Sequence, residues 1–104
     1  HIMVNLLINA KDAVVDSPED QREVRVIIRS DGTTATIRIV DNGRGIAAEN
    51  LGDVLSHGFT ANPKGHGFGL RSCALYAKEM GGDLKADSLG IGQGSTFTLS
   101  LPVD

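Results

Sequence analysis

The chain has 104 residues, 40% of them hydrophobic, and a formal net charge of −3. A chain of this length forms one domain around a single core, and no apolar run approaches a membrane span, so we expect no direct membrane insertion of this domain. The mildly acidic charge argues against a nucleic-acid surface, and the single cysteine suits a reducing compartment, which predicts a cytoplasmic domain whether or not the complete protein is membrane-anchored.

The first predicted element is a helix over residues 2–15, followed by a turn at residues 17–20 that contains Pro18. The helical pattern is present from the first residues, and no capping residue precedes it. We therefore expect residues 1–104 to be a fragment of a domain, cut inside or just before its first helix.

This helix carries an unusual polar stripe. Asn5, Asn9, Asp12 and Asp16 follow one another at spacings of four, three and four, which places them along one narrow side of the helix. Most other positions are apolar, so the stripe is expected to line a cavity or to find internal partners. Amide and carboxylate oxygens suit Mg²⁺. The alternative is a surface helix whose solvated side is this stripe.

The remaining elements are predicted from β-branched runs, helical spacing and glycine-rich turns. They suggest an α+β fold: a two-layer sandwich in which helices cover one face of a mixed, mostly antiparallel sheet. In chain order they are strands at 24–30 and 34–41, a short helix at 47–55, a long loop at 56–66, a helix at 67–80, and strands at 83–88 and 95–102.

The second strand ends in the sequence D-N-G-R-G, which begins at Asp41. A carboxylate at a strand end is an acceptor that can receive a hydrogen bond from an exocyclic amine. Gly43 and Gly45 would let another planar group approach the backbone closely. Ordinary turn chemistry explains the same residues equally well.

The stretch G-H-G-F-G-L at residues 65–70 places a glycine at every second position, directly before the predicted helix. Free backbone N–H groups together with a helix N-terminus form an anion site. The stretch is not the G-x-G-x-x-G of dinucleotide-binding domains, and the G-K-[ST] of a P-loop is missing. The motifs of eukaryotic-type protein kinases are also missing. Taken alone, the stretch is also compatible with a flexible loop.

The order of these motifs resembles the ATP-binding domain of sensor histidine kinases, in the GHKL (Bergerat-fold) superfamily. The N-box pattern N-L-L-x-N-A corresponds to residues 5–10, and the first glycine box is D-N-G-R-G at 41–45. Residues 57–70 resemble the family's F-box and second glycine box, and G-Q-G-S at 92–95 resembles the third. Residues 1–104 would then be a histidine kinase-like ATPase domain.

The resemblance implies a role for each motif. Asn9 would chelate the Mg²⁺ that bridges the ATP phosphates, Asp41 would accept from the adenine amine, and Phe59 would anchor a lid. Ser95 or Thr96 would reach the adenine edge. The implied nucleotide-binding residues are Asn5, Asn9, Asp12, Asp41, Gly43, Gly45, Ile46, Lys64, Gly65, His66, Gly67, Phe68, Gly69, Leu70, Ser95 and Thr96.

Two positions depart from common patterns of the family. Many histidine kinases have a basic residue where this chain has Asp12, which would repel phosphates unless the metal is near. Lys64 stands two places beyond the usual lid lysine, and either contacts the γ-phosphate or is simply solvated. His57 and His66 are interpreted as lid residues rather than metal ligands, because no cysteine or carboxylate accompanies them at ligand spacing.

The resemblance also implies an activity and partners. The superfamily's ATPases carry a glutamate, as a base for water, where this chain has Asn5. The chain would therefore hold Mg-ATP for transfer to a histidine on the dimerisation domain of the same protein, which would pass the phosphoryl group to a response-regulator receiver domain. The phosphoacceptor histidine is not in this chain. The alternatives are an ATPase module, an anti-sigma-type serine kinase and a non-catalytic partner-binding domain.

Overall fold

The computed structural model describes residues 2–15, 17–55 and 67–103. A single 3-10 turn at Glu19–Gln21 precedes the first strand. The helices are α1 (Ile2–Val14), α2 (Ala48–Leu51) and α3 (Gly67–Glu79), and the strands are β1 (Val24–Ser30), β2 (Thr34–Asp41), β3 (Asp83–Asp87) and β4 (Ser95–Pro102).

The described strands form one sheet in the order β1-β2-β4-β3, and each neighbouring pair is antiparallel. The β1–β2 hairpin turns at Asp31, whose carboxylate accepts the backbone N–H groups of Thr33 at 2.9 Å and Thr34 at 2.8 Å. These bonds, led by that from Thr33, lower the pKa of Asp31. The β2–β4 register places Asp41 opposite Ser95. The C-terminal end of β2 therefore lies beside the N-terminal end of β4, at one end of these two central strands.

One face of the sheet carries the core. Ile39, Phe97 and Leu99 alternate with more polar residues along β2 and β4, and each is at most 2% exposed. Helices α1 and α3 pack against each other, and both contact the sheet. The predicted two-layer α+β fold is confirmed. None of the helices in the described part of the chain is both long and apolar enough to cross a membrane.

The helix predicted over residues 47–55 is shorter in the structure. Only Ala48–Leu51 is helical, and turns follow through residue 55. A helix of this length lacks the hydrogen bonds that offset its nucleation cost, and the glycine at position 52 does not favour its extension. The loop predicted at 56–66 lies outside the described residues.

Cys73 is a core residue on α3 and is fully buried. Its thiol lies 3.7 Å from the backbone carbonyl oxygen of Ile2, to which it donates. Burial raises the pKa of the Cys73 thiol, and a hydrogen bond with the Asn5 side chain opposes part of that rise. This thiol therefore joins α1 to α3 in its protonated form at neutral pH.

This thiol gives the stability a pH dependence on the alkaline side. The thiol ionises at lower pH in the unfolded chain, at about 8.5. Its contribution to the free energy of unfolding is therefore complete below that pH and is lost as the pH rises through the raised folded-state pKa. Urea unfolding at pH 7 and pH 10 should show a larger loss of stability for the wild type than for Cys73→Ala. An equal loss in both proteins would contradict the raised pKa.

Candidate nucleotide-binding site

Three backbone segments meet where β2 ends and β4 begins. They are the C-terminal end of α1, the loop at 42–46, and the turn at 88–94. The N–H of Arg44 donates to the carbonyl of Ala13 at 2.9 Å. The carbonyl of Arg44 accepts from the N–H of Gly92 at 2.7 Å, and that of Gly43 accepts from the N–H of Gly94 at 3.2 Å. The loop is therefore held between the helix and the turn.

Glycine is needed where these backbones touch. A Cβ on Gly45 would lie 2.1 Å from the carbonyl oxygen of Gly90, and a Cβ on Gly94 would lie 2.2 Å from that of Asp41. Both residues have φ near +72°, a conformation that disfavours residues with side chains. The direct physical reason for these glycines is therefore close packing of protein backbones. A contact between Gly45 and a base stays a prediction.

Asp41 is the best-positioned chemical group at this junction. It ends β2 and is only 4% exposed. Its Oδ1 accepts the N–H of Gly43 at 2.9 Å, and its Oδ2 accepts the hydroxyl of Ser95 at 2.6 Å. These two donors hold the carboxylate in one orientation, and each oxygen keeps a further lone pair that can accept from a ligand. A buried carboxylate held in this way is suited to bind an amine or amide N–H donor.

Of the two residues predicted at the adenine edge, only Ser95 bonds to Asp41. Side chains alternate along a strand, so Thr96 lies on the opposite face of the sheet, in register with Val40 and Asp87. An open cleft beside the 88–94 turn is lined by residues of both faces, among them Asp41, Thr96 and Asp87.

The polar stripe of α1 borders the core. Asn5, Asn9 and Asp12 are each half-buried, whereas the solvent-exposed positions of the helix are Val4, Leu7 and Lys11. The stripe is therefore partly covered at these three residues, and its role in lining a nucleotide cavity stays a prediction. The Asn5 side chain lies close enough to the Cys73 thiol of α3 to oppose part of the rise in the pKa of that thiol. Asp16 lies outside the described residues.

Sequence reasoning did not single out Arg44 and Ser88. The Arg44 guanidinium donates to the backbone carbonyl of Asp12, where a cation complements the negative end of the helix dipole. The Ser88 hydroxyl bonds to the backbone of both the 42–46 loop and the 88–94 turn. A serine between a strand and glycines is typical of a turn, because its hydroxyl can bond to the nearby backbone. Its contact with Ile46, however, spans 42 residues of sequence.

The second glycine box is only partly described. Lys64, Gly65 and His66, as well as Phe59 and His57, lie outside the described residues. Gly67, Phe68 and Gly69 form the first turn of α3, and their side chains are not described. Leu70 is 4% exposed and packs in the core. Any nucleotide contact of Leu70 would therefore have to come from its backbone.

Comparison with known proteins confirms the resemblance drawn from the motifs. Residues 1–104 match the family described as histidine kinase-, DNA gyrase B-, and HSP90-like ATPase. The chain is 33% identical over 103 residues to the sensor histidine kinase CitA of Klebsiella pneumoniae, and equally so to ZraS of Escherichia coli K12. These alignments cover 98% and 99% of this chain but 19% and 21% of the relatives, so the chain spans about a fifth of their length.

A solved structure agrees with the sequence comparisons. The mycobacterial sensor histidine kinase MprB superposes with a TM-score of 0.81 and 27% sequence identity, over 97% of this chain and 67% of that one. The similarity therefore extends over nearly the whole of this chain. The chain belongs to the histidine kinase-, DNA gyrase B- and HSP90-like ATPase family, and an ATPase domain of this family binds ATP.

Proposed function

We propose that this chain is the ATP-holding catalytic domain of a two-component sensor histidine kinase. It would present the γ-phosphoryl group of Mg-ATP to a histidine on the dimerisation domain of the same protein, for onward transfer to a response-regulator receiver domain. The observation that carries the proposal is the buried Asp41 carboxylate, held by Gly43 and Ser95 where the glycine loops meet. The sensor-kinase relatives support the choice of reaction.

The adenine end of the site would be built around Asp41. An adenine amine donates hydrogen bonds, and the carboxylate offers acceptor lone pairs beside those that Gly43 and Ser95 use. The site is largely preformed, since loop and turn are joined by backbone hydrogen bonds. Little conformational freedom would then be lost when a base binds, and this small entropic cost favours affinity.

The phosphate end would lie along α1 and at the start of α3. The amide oxygen of Asn9 is the type of hard ligand that Mg²⁺ accepts, and Mg²⁺ takes most of its other ligands from phosphates and water. The N-terminus of α3 at Gly67 offers backbone N–H groups that have no partner within the helix, together with the positive end of a helix dipole. Asn9 is half-buried, so its amide is also within reach of solvent. Bound ATP supplies the phosphoryl group; the protein would position it and neutralise its charge.

The residue at position 5 favours transfer to a protein over hydrolysis of ATP. An amide cannot take a proton from an attacking water, so Asn5 does not provide a general base. Its side chain also lies near the Cys73 thiol, at the interface between α1 and α3. The free cysteine supports a domain on the reducing, cytoplasmic side of the cell.

Labelled ATP tests the proposed transfer. We expect the chain with Mg²⁺ and γ-labelled ATP to label the separately purified dimerisation domain of the same protein, as an acid-labile and base-stable phosphohistidine. The chain alone should retain no label. Asn9→Ala should abolish transfer, whereas Lys11→Ala, on the exposed side of the same helix, should not.

Two results would overturn the proposal. Label retained on the chain alone would show that it carries its own acceptor. Rapid release of phosphate without the dimerisation domain would make it an ATPase module instead.

A further inference from the structure

The Ser88 hydroxyl joins the loop at 42–46 to the turn at 88–94. It accepts the N–H of Ile46 at 3.0 Å and the N–H of Gly90 at 3.2 Å. It can donate to the carbonyl of Gly94 at 2.6 Å or to that of Gly90 at 3.3 Å, and the shorter distance favours Gly94. A hydroxyl has one proton and two acceptor lone pairs, so all of its hydrogen-bonding capacity is used within the protein.

These hydrogen bonds, together with the backbone between them, form a closed circuit that includes the Asp41 carboxylate. The Gly94 carbonyl belongs to the peptide group that leads into Ser95, and the hydroxyl of Ser95 donates to Asp41 Oδ2. From Asp41 the chain runs through the loop to Ile46, whose N–H returns to Ser88. Ser88 therefore acts on both sides of the carboxylate without touching it.

Resting on the function proposed above, we propose that Ser88 is a positioning residue that sets the orientation of the Asp41 carboxylate and thereby the preference for a base with an exocyclic amine. With the hydroxyl removed, the N–H of Ile46 and the carbonyl of Gly94 lose their shared partner. The Ser95 hydroxyl then no longer holds Asp41 Oδ2 in one direction. The preference for adenine falls because the acceptor is no longer aimed at the amine.

A comparison of ADP with inosine diphosphate tests this role separately from stability. Inosine diphosphate carries an oxygen where ADP carries the amine, so it places an acceptor against the Asp41 carboxylate. Loss of fold weakens the binding of both nucleotides equally, so the dissociation constant of inosine diphosphate divided by that of ADP stays unchanged. Misorientation of Asp41 weakens the binding of ADP more, so this ratio falls.

Calorimetry with both Mg-nucleotides should give the wild type a preference for ADP of about 10- to 100-fold, the value of one hydrogen bond to a charged group. Ser88→Ala should bring this ratio close to one. Ser88→Thr, which keeps the hydroxyl, should retain most of the preference. Ser100→Ala, at the opposite, half-buried end of β4, should behave as the wild type.

Each outcome decides the inference. A wild-type ratio in Ser88→Ala overturns it, even if that variant is less stable. If Ser88→Ala does not fold, Ser88→Cys takes its place: its weaker donor should give an intermediate ratio, and an unchanged ratio overturns the inference. A wild type that prefers ADP while the variants keep its ratio refutes the role of Ser88 alone, whereas a wild type that binds neither nucleotide refutes the proposed function as well.

Discussion

Asp41→Asn is expected to weaken Mg-ADP binding by about 10- to 100-fold, the value of a hydrogen bond to a charged acceptor. An asparagine has nearly the same shape, and its carbonyl oxygen can still accept the N–H of Gly43. Its NH₂ group then occupies the place of Asp41 Oδ2, where the Ser95 hydroxyl now donates. Ser95 can rotate its proton away, but an adenine amine would meet a donor instead of an acceptor.

The effect should be specific to the buried carboxylate. Asp83→Asn removes an exposed carboxylate at the start of β3 and should leave the affinity unchanged. Titration calorimetry gives the two dissociation constants, and thermal unfolding without nucleotide shows whether either variant is less stable. Binding by Asp41→Asn within twofold of the wild type would mean that Asp41 does not receive the base.

Gly94→Ala is expected to lower the free energy of unfolding by about 3 kcal/mol or more, because backbone strain and overpacking act together. The new Cβ would lie 2.2 Å from the carbonyl oxygen of Asp41 and 3.0 Å from the Cα of Asn42. Both contacts are with backbone, so no side chain can move aside. The turn would have to separate from the loop that it supports.

Gly92→Ala is a matched control for this substitution. Gly92 has φ of +80°, close to that of Gly94, but nothing lies within 4 Å of its Cβ position. Gly92→Ala should therefore lower the free energy of unfolding only by the cost of the backbone conformation, about 1–2 kcal/mol. Urea unfolding gives the loss of stability of each variant, and the difference between the two losses is the cost of the steric clash at position 94. Equal losses would show that the junction between the loop and the turn is not tightly packed.

Most of the secondary structure could be predicted because its signals are local. The β-branched runs of β1, β2 and β4 have the bounds that their sequence pattern predicts, and α1 begins and ends within one residue of the prediction. Burial was harder to predict. Val24, Val26 and Ile28 of β1 are paired with the helix-facing residues of β2, yet they are 39%, 44% and 67% exposed. Which strands the helices cover depends on tertiary packing, which a strand's own pattern does not contain.

In the candidate site too, residues with a local signal were predictable and long-range contacts were not. Asp41 was identifiable from its place at a strand end before glycines, and its partner Ser95 from the resemblance to a family. That Ser95 rather than Thr96 contacts Asp41 depends on the register of β2 against β4. The part played by Ser88 arises from a contact with Ile46 across 42 residues, and no local pattern reports such a contact. The predicted roles of Lys64, Gly65 and His66 stay predictions, since these residues lie outside the described part of the chain.

The most direct measurement is a crystal structure of this chain grown with Mg²⁺ and excess ADP. We expect the adenine amine within hydrogen-bond distance of the Asp41 carboxylate, with Ser95 still bonded to the same group and the phosphates directed toward Asn9 and the start of α3. A nucleotide bound on the opposite face of the sheet, or an adenine amine turned away from Asp41, would contradict the proposed site.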